Sequence, residues 1–486
     1  MFPVHTPPFI PLPFVSFTMI FVAITGPVGS GKTSLLSQLV QWAKNNDRRV
    51  DGFLALPIDR IQAQRGANRY DLLWVATEEQ RPYARRSNSL QPPYEFDSET
   101  AREVGQWAAA LATAPPLGAL VLDEFGPMEA AGDGHVRHWD VLRQANAEVM
   151  VIAVRDSCLD AVQTRLGIQF DVVVDAVSKD AFARLKNVCL HHADWTIIGA
   201  FGAAAGGFEA FVGSALHASQ IPFRGLFLSS VQSVIMMYAG ERIQQKSRVV
   251  GVPLISAGLK AFSPMGNRLR PMLAISTQGI FFGAAVAFLG WNVFGLIVGG
   301  WLVGAWAATL GILFQYLFIG GDLLLAYDTI LQWLIRELNL GSVTSVTLLL
   351  LWATAWGCFS AGVTLLAWIH RQHSSERIIA FIRRSAQRSR LSQQGHTKHH
   401  AVRDGLRDVL RPHFWIPIVL VALVLLASGT TWEHIFWIAF RALTIGWVLF
   451  ALARMIDPHA IALWLHRKGH WGPAMAFRKA MERTKS

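Results

Sequence analysis

Short apolar runs separated by helix-periodic stretches fill the first 190 residues, and long unbroken apolar stretches fill much of the rest. Runs of β type lie at 19–25, 50–56, 70–75, 119–122, 148–154 and 170–174. Between them, Lys32–Asn45 and residues 98–113 repeat apolar positions at three- and four-residue spacing, the second with Asp97 or Ser98 as N-cap. Short strands alternating with helices predict an α/β domain over residues 19–190, built on a mostly parallel sheet. Residues 1–18 are a Pro-rich apolar lead without the charged start or cleavage site of a signal peptide, and they are expected to be poorly ordered. Met19, directly before the first strand, stands as an alternative start.

From Asp194 the texture changes. Apolar stretches run at about 194–216, 222–239, 271–290, 292–319, 343–369, 414–428 and 433–453, several of them near the ~20 residues that span a bilayer as helix. Residues 249–259 are shorter and fit a short span, a half-helix or a re-entrant piece. Counting them, the pattern predicts an all-α multi-spanning membrane domain. It has a six-helix bundle at 194–369, a basic linker at 370–413, and two further helices with a basic tail at 414–486.

Composition agrees: 52% of residues are hydrophobic and 16% charged, with 18 Trp and 29 Phe. The net charge of +11 raises the question of nucleic acid, and its location answers it. Residues 370–413 hold ten basic side chains against three acidic ones, and residues 454–486 hold seven against two. Both segments flank apolar spans, so the charge reads as positive-inside topology, with no nucleic-acid partner. With residue 190 in the cytoplasm, six spans return the chain there at His370, and two more leave the basic tail there. Arg268 and Arg270 then fall outside, against the rule. The expected location is a bacterial inner membrane, with the first domain cytoplasmic. Cys158, Cys189 and Cys358 form no C-x-x-C pair and imply no disulfide framework or zinc site.

Small residues recur four apart, as in Gly202 with Gly206, Gly279 with Gly283, Gly295 with Gly299 and Gly300 with Gly304. Such stripes let helices approach closely, within the chain or against a partner helix. Residues 322–338 are amphipathic and suit the outer interface. Glu209, Arg224, Gln278 and Gln315 are polar within apolar surroundings, and Glu209 could pair with Arg224. His396, His399 and His400 sit in the basic linker and read as solvated.

The candidate chemistry lies at Gly26-Pro27-Val28-Gly29-Ser30-Gly31-Lys32-Thr33, which with Ser34 joins the first strand to the first helix. The G-x-x-x-x-G-K-[ST] spacing wraps backbone N–H groups and a helix N-terminus around phosphate. Lys32 is placed to reach the β- and γ-phosphates of ATP or another NTP, and Thr33 to hold Mg²⁺. A second motif ends the strand at 119–122 in Asp123-Glu124. Asp123 is expected to steady the metal and Glu124 to activate the attacking water.

Asp123-Glu124-Phe125-Gly126-Pro127-Met128-Glu129 resembles the D-E-[IFL]-G-P-[ML]-E element of the P-loop nucleoside-triphosphatases first described from thermophiles. Val50-Asp51-Gly52-Phe53-Leu54 with Arg69-Tyr70-Asp71-Leu72, and the stretch from Ala76 to Arg86, resemble two further elements of that family. Glu78 departs from it, standing where glycine is common. The resemblance implies slow, Mg²⁺-dependent hydrolysis of several NTPs. An arginine is wanted to offset charge on the γ-phosphate, and Arg60, Arg85, Arg86 and Arg155 are candidates. No L-S-G-G-Q-like signature of an ABC ATPase is present.

Residues 194–369 resemble, more weakly, the substrate-binding S component of energy-coupling-factor vitamin transporters, through 270–283 and 289–295. That resemblance implies a small vitamin-like solute and transmembrane and ATPase subunits as partners, docked along a stripe including Ala200 and Ala204. Three functions follow: NTP hydrolysis powering or gating solute transport, a membrane-tethered regulatory NTPase, or a nucleoside or cofactor kinase.

Overall fold

The computed structural model describes residues 19–58, 67–87, 94–213, 223–260, 269–338, 344–371, 410, 412–455 and 457–483. The Pro-rich lead, Arg60, residues 372–409 of the basic linker and its three histidines lie outside the described residues. The chain divides into two compact units, Met1–Ala193 and Asp194–Ser486.

The first unit is an eight-stranded mixed sheet: β1 (Ile20–Gly26), β2 (Val50–Ile58), β3 (Arg69–Trp74), β4 (Gln80–Arg86), β5 (Tyr94–Phe96), β6 (Ala119–Phe125), β7 (Val149–Arg155) and β8 (Val172–Asp175). Their order is β5-β4-β3-β2-β6-β7-β1-β8. Strands β2, β6, β7, β1 and β8 are mutually parallel, while β3, β4 and β5 extend one side by antiparallel pairing. The central strands read as unbroken apolar runs because both their faces are covered; in β7, Val149 to Val154 are all buried.

Helix α1 (Lys32–Asn45) buries Leu35, Leu36, Leu39, Val40 and Ala43, the stripe that its 3.6-residue period aligns. Helix α2 (Ser98–Leu111) starts at Asp97, whose carboxylate accepts the N–H groups of Glu99 and Thr100 at 3.1 and 2.9 Å. It buries Val104, Ala108 and Leu111 against the sheet. Three short helices follow, α3 (Pro127–Ala131), α4 (Trp139–Leu142) and α5 (Leu159–Leu166).

Two backbone positions decide local geometry. Gly52 in β2 has φ +130°, and a Cβ there would overlap the carbonyl oxygen of Val121 on β6. Only glycine lets these two strands pair so closely. In the β3–β4 turn Glu78 adopts φ +61°, and its N–H donates to the Trp74 carbonyl at 2.9 Å. This left-handed turn explains why glycine suits the position. Here Glu78 instead pairs with Lys44 of α1 at 2.7 Å.

Helix α6 (Ala181–Phe208) carries the chain from the first unit into the second. The second unit is all-helical: α7 (Arg224–Arg242), α8 (Gly251–Leu259), α9 (Leu269–Leu289), α10 (Val293–Ile319), α11 (Asp322–Leu338), α12 (Ser345–Ile369), α13 (Pro412–Ala427), α14 (Trp432–Arg454), α15 (Pro458–Arg467) and α16 (Trp471–Arg483). Among the described residues, four helices are long and apolar enough to cross a membrane: Leu269–Leu289, Val293–Ile319, Ser345–Ile369 and Trp432–Leu452. The nine residues of α8 extend only ~14 Å at helical rise, about half a bilayer core.

The recurrent glycines pack within the chain. A Cβ at Gly202 or Gly206 would press on Ile255 or Leu259 of α8, and one at Gly279 or Gly283 on Pro253 or Val250. Gly300 and Gly304 leave room for α12 at Thr364 and Trp356. Ala200 and Ala204 are likewise buried. Glu209 pairs with Lys260 at 3.4 Å, rather than with Arg224. The end of α8 brings that lysine beside a one-turn π-helix, Glu209–Gly213, that closes α6.

Candidate active site

The C-terminal tips of β6, β7 and β1 are neighbours, because β7 lies between the other two. From the tip of β1 the chain turns through Pro27, Val28, Gly29, Ser30 and Gly31 into α1. Gly29 and Gly31 have φ +80° and +88°, conformations that carry almost no cost only in glycine. Leu35 N–H donates to the Gly31 carbonyl at 2.9 Å, so the first turn of α1 begins within the motif. The N–H groups of residues at this helix start have no partner one turn back and are free for an anion. Lys32 Nζ folds onto the loop, donating to the carbonyls of Gly26 and Pro27 at 2.7 and 2.8 Å. Partial burial lowers the pKa of its ammonium, against the opposing pull of Glu124 and Asp123. Ser30 Oγ and Thr25 Oγ1 are buried here without a hydrogen-bond partner.

Asp123 is 1% exposed at the end of β6. Its Oδ2 accepts the Ala55 N–H from β2 at 3.1 Å, and its Oδ1 accepts the Glu124 N–H at 2.9 Å. The Thr33 hydroxyl lies near enough to favour the charged form of the same carboxylate. Desolvation raises the Asp123 pKa, and the nearby Thr33 hydroxyl, the Ala55 and Glu124 N–H groups and the Lys32 charge oppose the rise. A buried carboxylate near the hydroxyl that follows the phosphate-loop lysine is a hard-oxygen donor set, which fits a small divalent cation such as Mg²⁺. Among the described residues no cluster of three or more His, Cys, Asp or Glu forms a metal cage. A Mg²⁺ held by one hydroxyl, one carboxylate and phosphate oxygens needs none.

Glu124 follows in a left-handed conformation, φ +60°, at the point where the β6–β7 register shifts. The kink turns its side chain to solvent while Asp123 stays inside. Desolvation, then the Asp123 charge, raises the Glu124 pKa to about 7, and Arg155 and Lys32 pull it back. Behind it, Glu129 is buried and accepts the Gly126 N–H at 2.8 Å, capping α3. The acid that ends the D-E-F-G-P-M-E motif is thus structural.

The structure therefore brings Gly26–Ser34, Asp123 and Glu124 together from β1, α1 and β6. Arg85 and Arg86 stand on β4, three strands from β6. Arg155 ends β7 beside both motifs. Also unforeseen in the residue pattern was the Ala55 N–H, whose role depends on β2 reaching past the last residue it pairs with on β6.

A family model described as NTPase matches residues 21–183. No curated protein and no solved structure matched the chain in the other two comparisons. The NTPase match ends ten residues before the second unit begins at Asp194, and no family match supports the resemblance of residues 194–369 to an S component. The chain thus carries an α/β domain similar over residues 21–183 to the NTPase family, joined to a helical part whose described residues include four apolar helices of membrane-spanning length.

Proposed function

We propose that the first unit hydrolyses nucleoside triphosphates with Mg²⁺ at the cytoplasmic face of a membrane to which the second unit belongs. The observation that carries this reading is the buried Asp123 carboxylate at the tip of β6, under the electrostatic influence of Thr33, Lys32 and Glu124 of the two motifs. The backbone N–H groups of residues 26–34 would cradle the phosphates, and Lys32 would exchange its two loop carbonyls for β- and γ-phosphate oxygens. Thr33 and Asp123 would hold Mg²⁺, whose charge neutralises the phosphates when it is bound. Glu124, open to solvent beside this group, would orient the attacking water and accept its proton.

Phosphate release from ATP by the full chain in detergent tests the reading. General-base removal by Glu124→Gln should lower turnover by about 10²- to 10⁴-fold while nucleotide affinity stays within about threefold. Turnover retained within about threefold would remove Glu124 from its role. Chromatography of labelled products with added nucleosides separates hydrolysis from a kinase, which would yield a phosphorylated acceptor.

A second reading, hydrolysis powering or gating passage of a small solute, draws on a small, partly open cleft of about 30 Å³ inside the helical unit. It is lined by Glu209, Gln232 and Ser256 among apolar side chains such as Phe208, Met236 and Ile275. Polar groups set in an apolar wall are the lining of a binding chamber, but at this size the cleft holds water, and a vitamin-sized solute would enter only if the helices parted. Uptake of labelled vitamins into vesicles bearing the wild type or Lys32→Ala checks it. Uptake untouched by the substitution would remove the powering role, and uptake of none would leave a tethered NTPase.

A further inference from the structure

Four arginines were open as the group that meets charge on the γ-phosphate, and the sheet order separates the three that lie among the described residues. Neighbouring strands lie ~4.8 Å apart, so Arg85 and Arg86, on β4, start roughly 14 Å from β6. Arg85 is also turned away: it is exposed, and its register partners are Arg69 and Glu95 on the neighbouring strands. Arg155 is the last residue of β7, the strand wedged between β6 and β1. It is paired in register with Gly26, the first residue of the phosphate loop. On the other side, its predecessor Val154 is paired with Phe125, next to Glu124. One residue thus stands a single strand spacing from each half of the site.

Its side chain is half-buried, and among the described residues its guanidinium makes no hydrogen bond or ion pair. Its charge nonetheless reaches both neighbours, lowering the proton affinity of Lys32 and of Glu124. A guanidinium left without a carboxylate, between an ammonium and a water-facing carboxylate, has its donors available for an anion. The anion that this place receives in the NTPase reading is the terminal phosphate.

We propose that Arg155 donates to the γ-phosphate oxygens and stabilises their charge in the transition state, so that the chain carries its own catalytic arginine. The proposal rests on the NTPase reading. Because the contact is to the γ-phosphate, the residue also distinguishes NTP from NDP. Planar, permanently charged guanidinium suits this task better than ammonium, so lysine replaces it poorly.

The test uses the full chain in detergent, with Arg155→Ala, Arg155→Gln and Arg155→Lys. Turnover of ATP is followed together with binding of ADP and of a non-hydrolysable ATP analogue. The expected result is a fall in kcat of about 10²- to 10³-fold in the Ala and Gln variants. Analogue affinity falls about tenfold while ADP affinity stays within about twofold, and Arg155→Lys recovers only part of the loss. Should Arg155→Ala fail to fold, the Gln and Lys variants carry the same readout. Turnover within about threefold of wild type overturns the proposal, as does an equal loss of ADP and analogue binding, which would place the side chain on the α- or β-phosphate. An inactive wild type overturns the NTPase reading instead, which keeps the two failures apart.

Discussion

Lowering the pH from 7 to 5 should loosen the NTPase-type domain through one side chain, His135. Its imidazole is 3% exposed, 4.5 Å from the ring of Phe53, and it shares a hydrogen bond of 3.1 Å with the Tyr83 hydroxyl through Nε2. Burial, with a smaller push from His138, lowers its pKa from 6.5 to about 3. The folded state therefore refuses a proton that the unfolded chain accepts near pH 6.5. The stability that the neutral imidazole contributes is complete above that value and is lost progressively as pH falls towards 3. Linkage gives a loss of about 2 kcal/mol between pH 7 and 5, and about 4 kcal/mol by pH 3. Glu129 accepts the backbone N–H of His135 at 3.4 Å, and burial raises its pKa, so it acts in the opposite direction. It is present in both proteins of a comparison with His135→Gln, which keeps a hydrogen-bonding side chain but takes up no proton. Hydrogen exchange of peptides covering β2 and β6 in the full chain, corrected for intrinsic rates, gives their opening free energies at each pH. The drop from pH 7 to 5 should be about 2 kcal/mol smaller in the variant. Equal drops in the two proteins would refute the reasoning, and would mean that the protonated ring finds a partner inside the fold, Glu129 foremost.

Three further outcomes follow from packing and charge. Gly52→Ala drives a methyl into the Val121 carbonyl, and should cost about 3 kcal/mol or more, read as early melting of the first unit in detergent. Glu78→Gly removes a left-handed non-glycine residue together with an exposed ion pair to Lys44, so its melting temperature should exceed wild type in high salt, where the pair is screened. In the second unit, Lys260→Met leaves the Glu209 carboxylate buried and unpaired at about 3 to 5 kcal/mol, and adding Glu209→Gln should recover most of the loss in a detergent melting series.

The parts of this fold that could be read from residues alone are those with local causes. Lys32–Asn45 was legible because its apolar stripe follows a glycine turn, and the central strands because burial on both faces makes them unbroken apolar runs. Strand β4 was visible only through resemblance: Gln80, Arg81 and Pro82 are exposed and give no apolar alternation. Strand β5 has three residues, too few for any period. The two motifs of the site announced their own chemistry, yet the choice among arginines needed the strand order, in which β7 of late sequence lies between β6 and β1. The partner of Glu209 was misjudged for a similar reason. Arg224 is nearer in sequence, whereas Lys260, 51 residues away, is brought back by α8.

Glu124 holds its side chain outward through a left-handed backbone, where a residue with a Cβ is strained and glycine is not. Replacement by glycine should therefore make the domain harder to unfold while leaving it without its proposed base. Selection for heat resistance alone would favour that loss. A library of this domain screened only for survival at high temperature would be expected to fill with inert molecules substituted at position 124, so a thermostabilised version must be selected with turnover in the same assay.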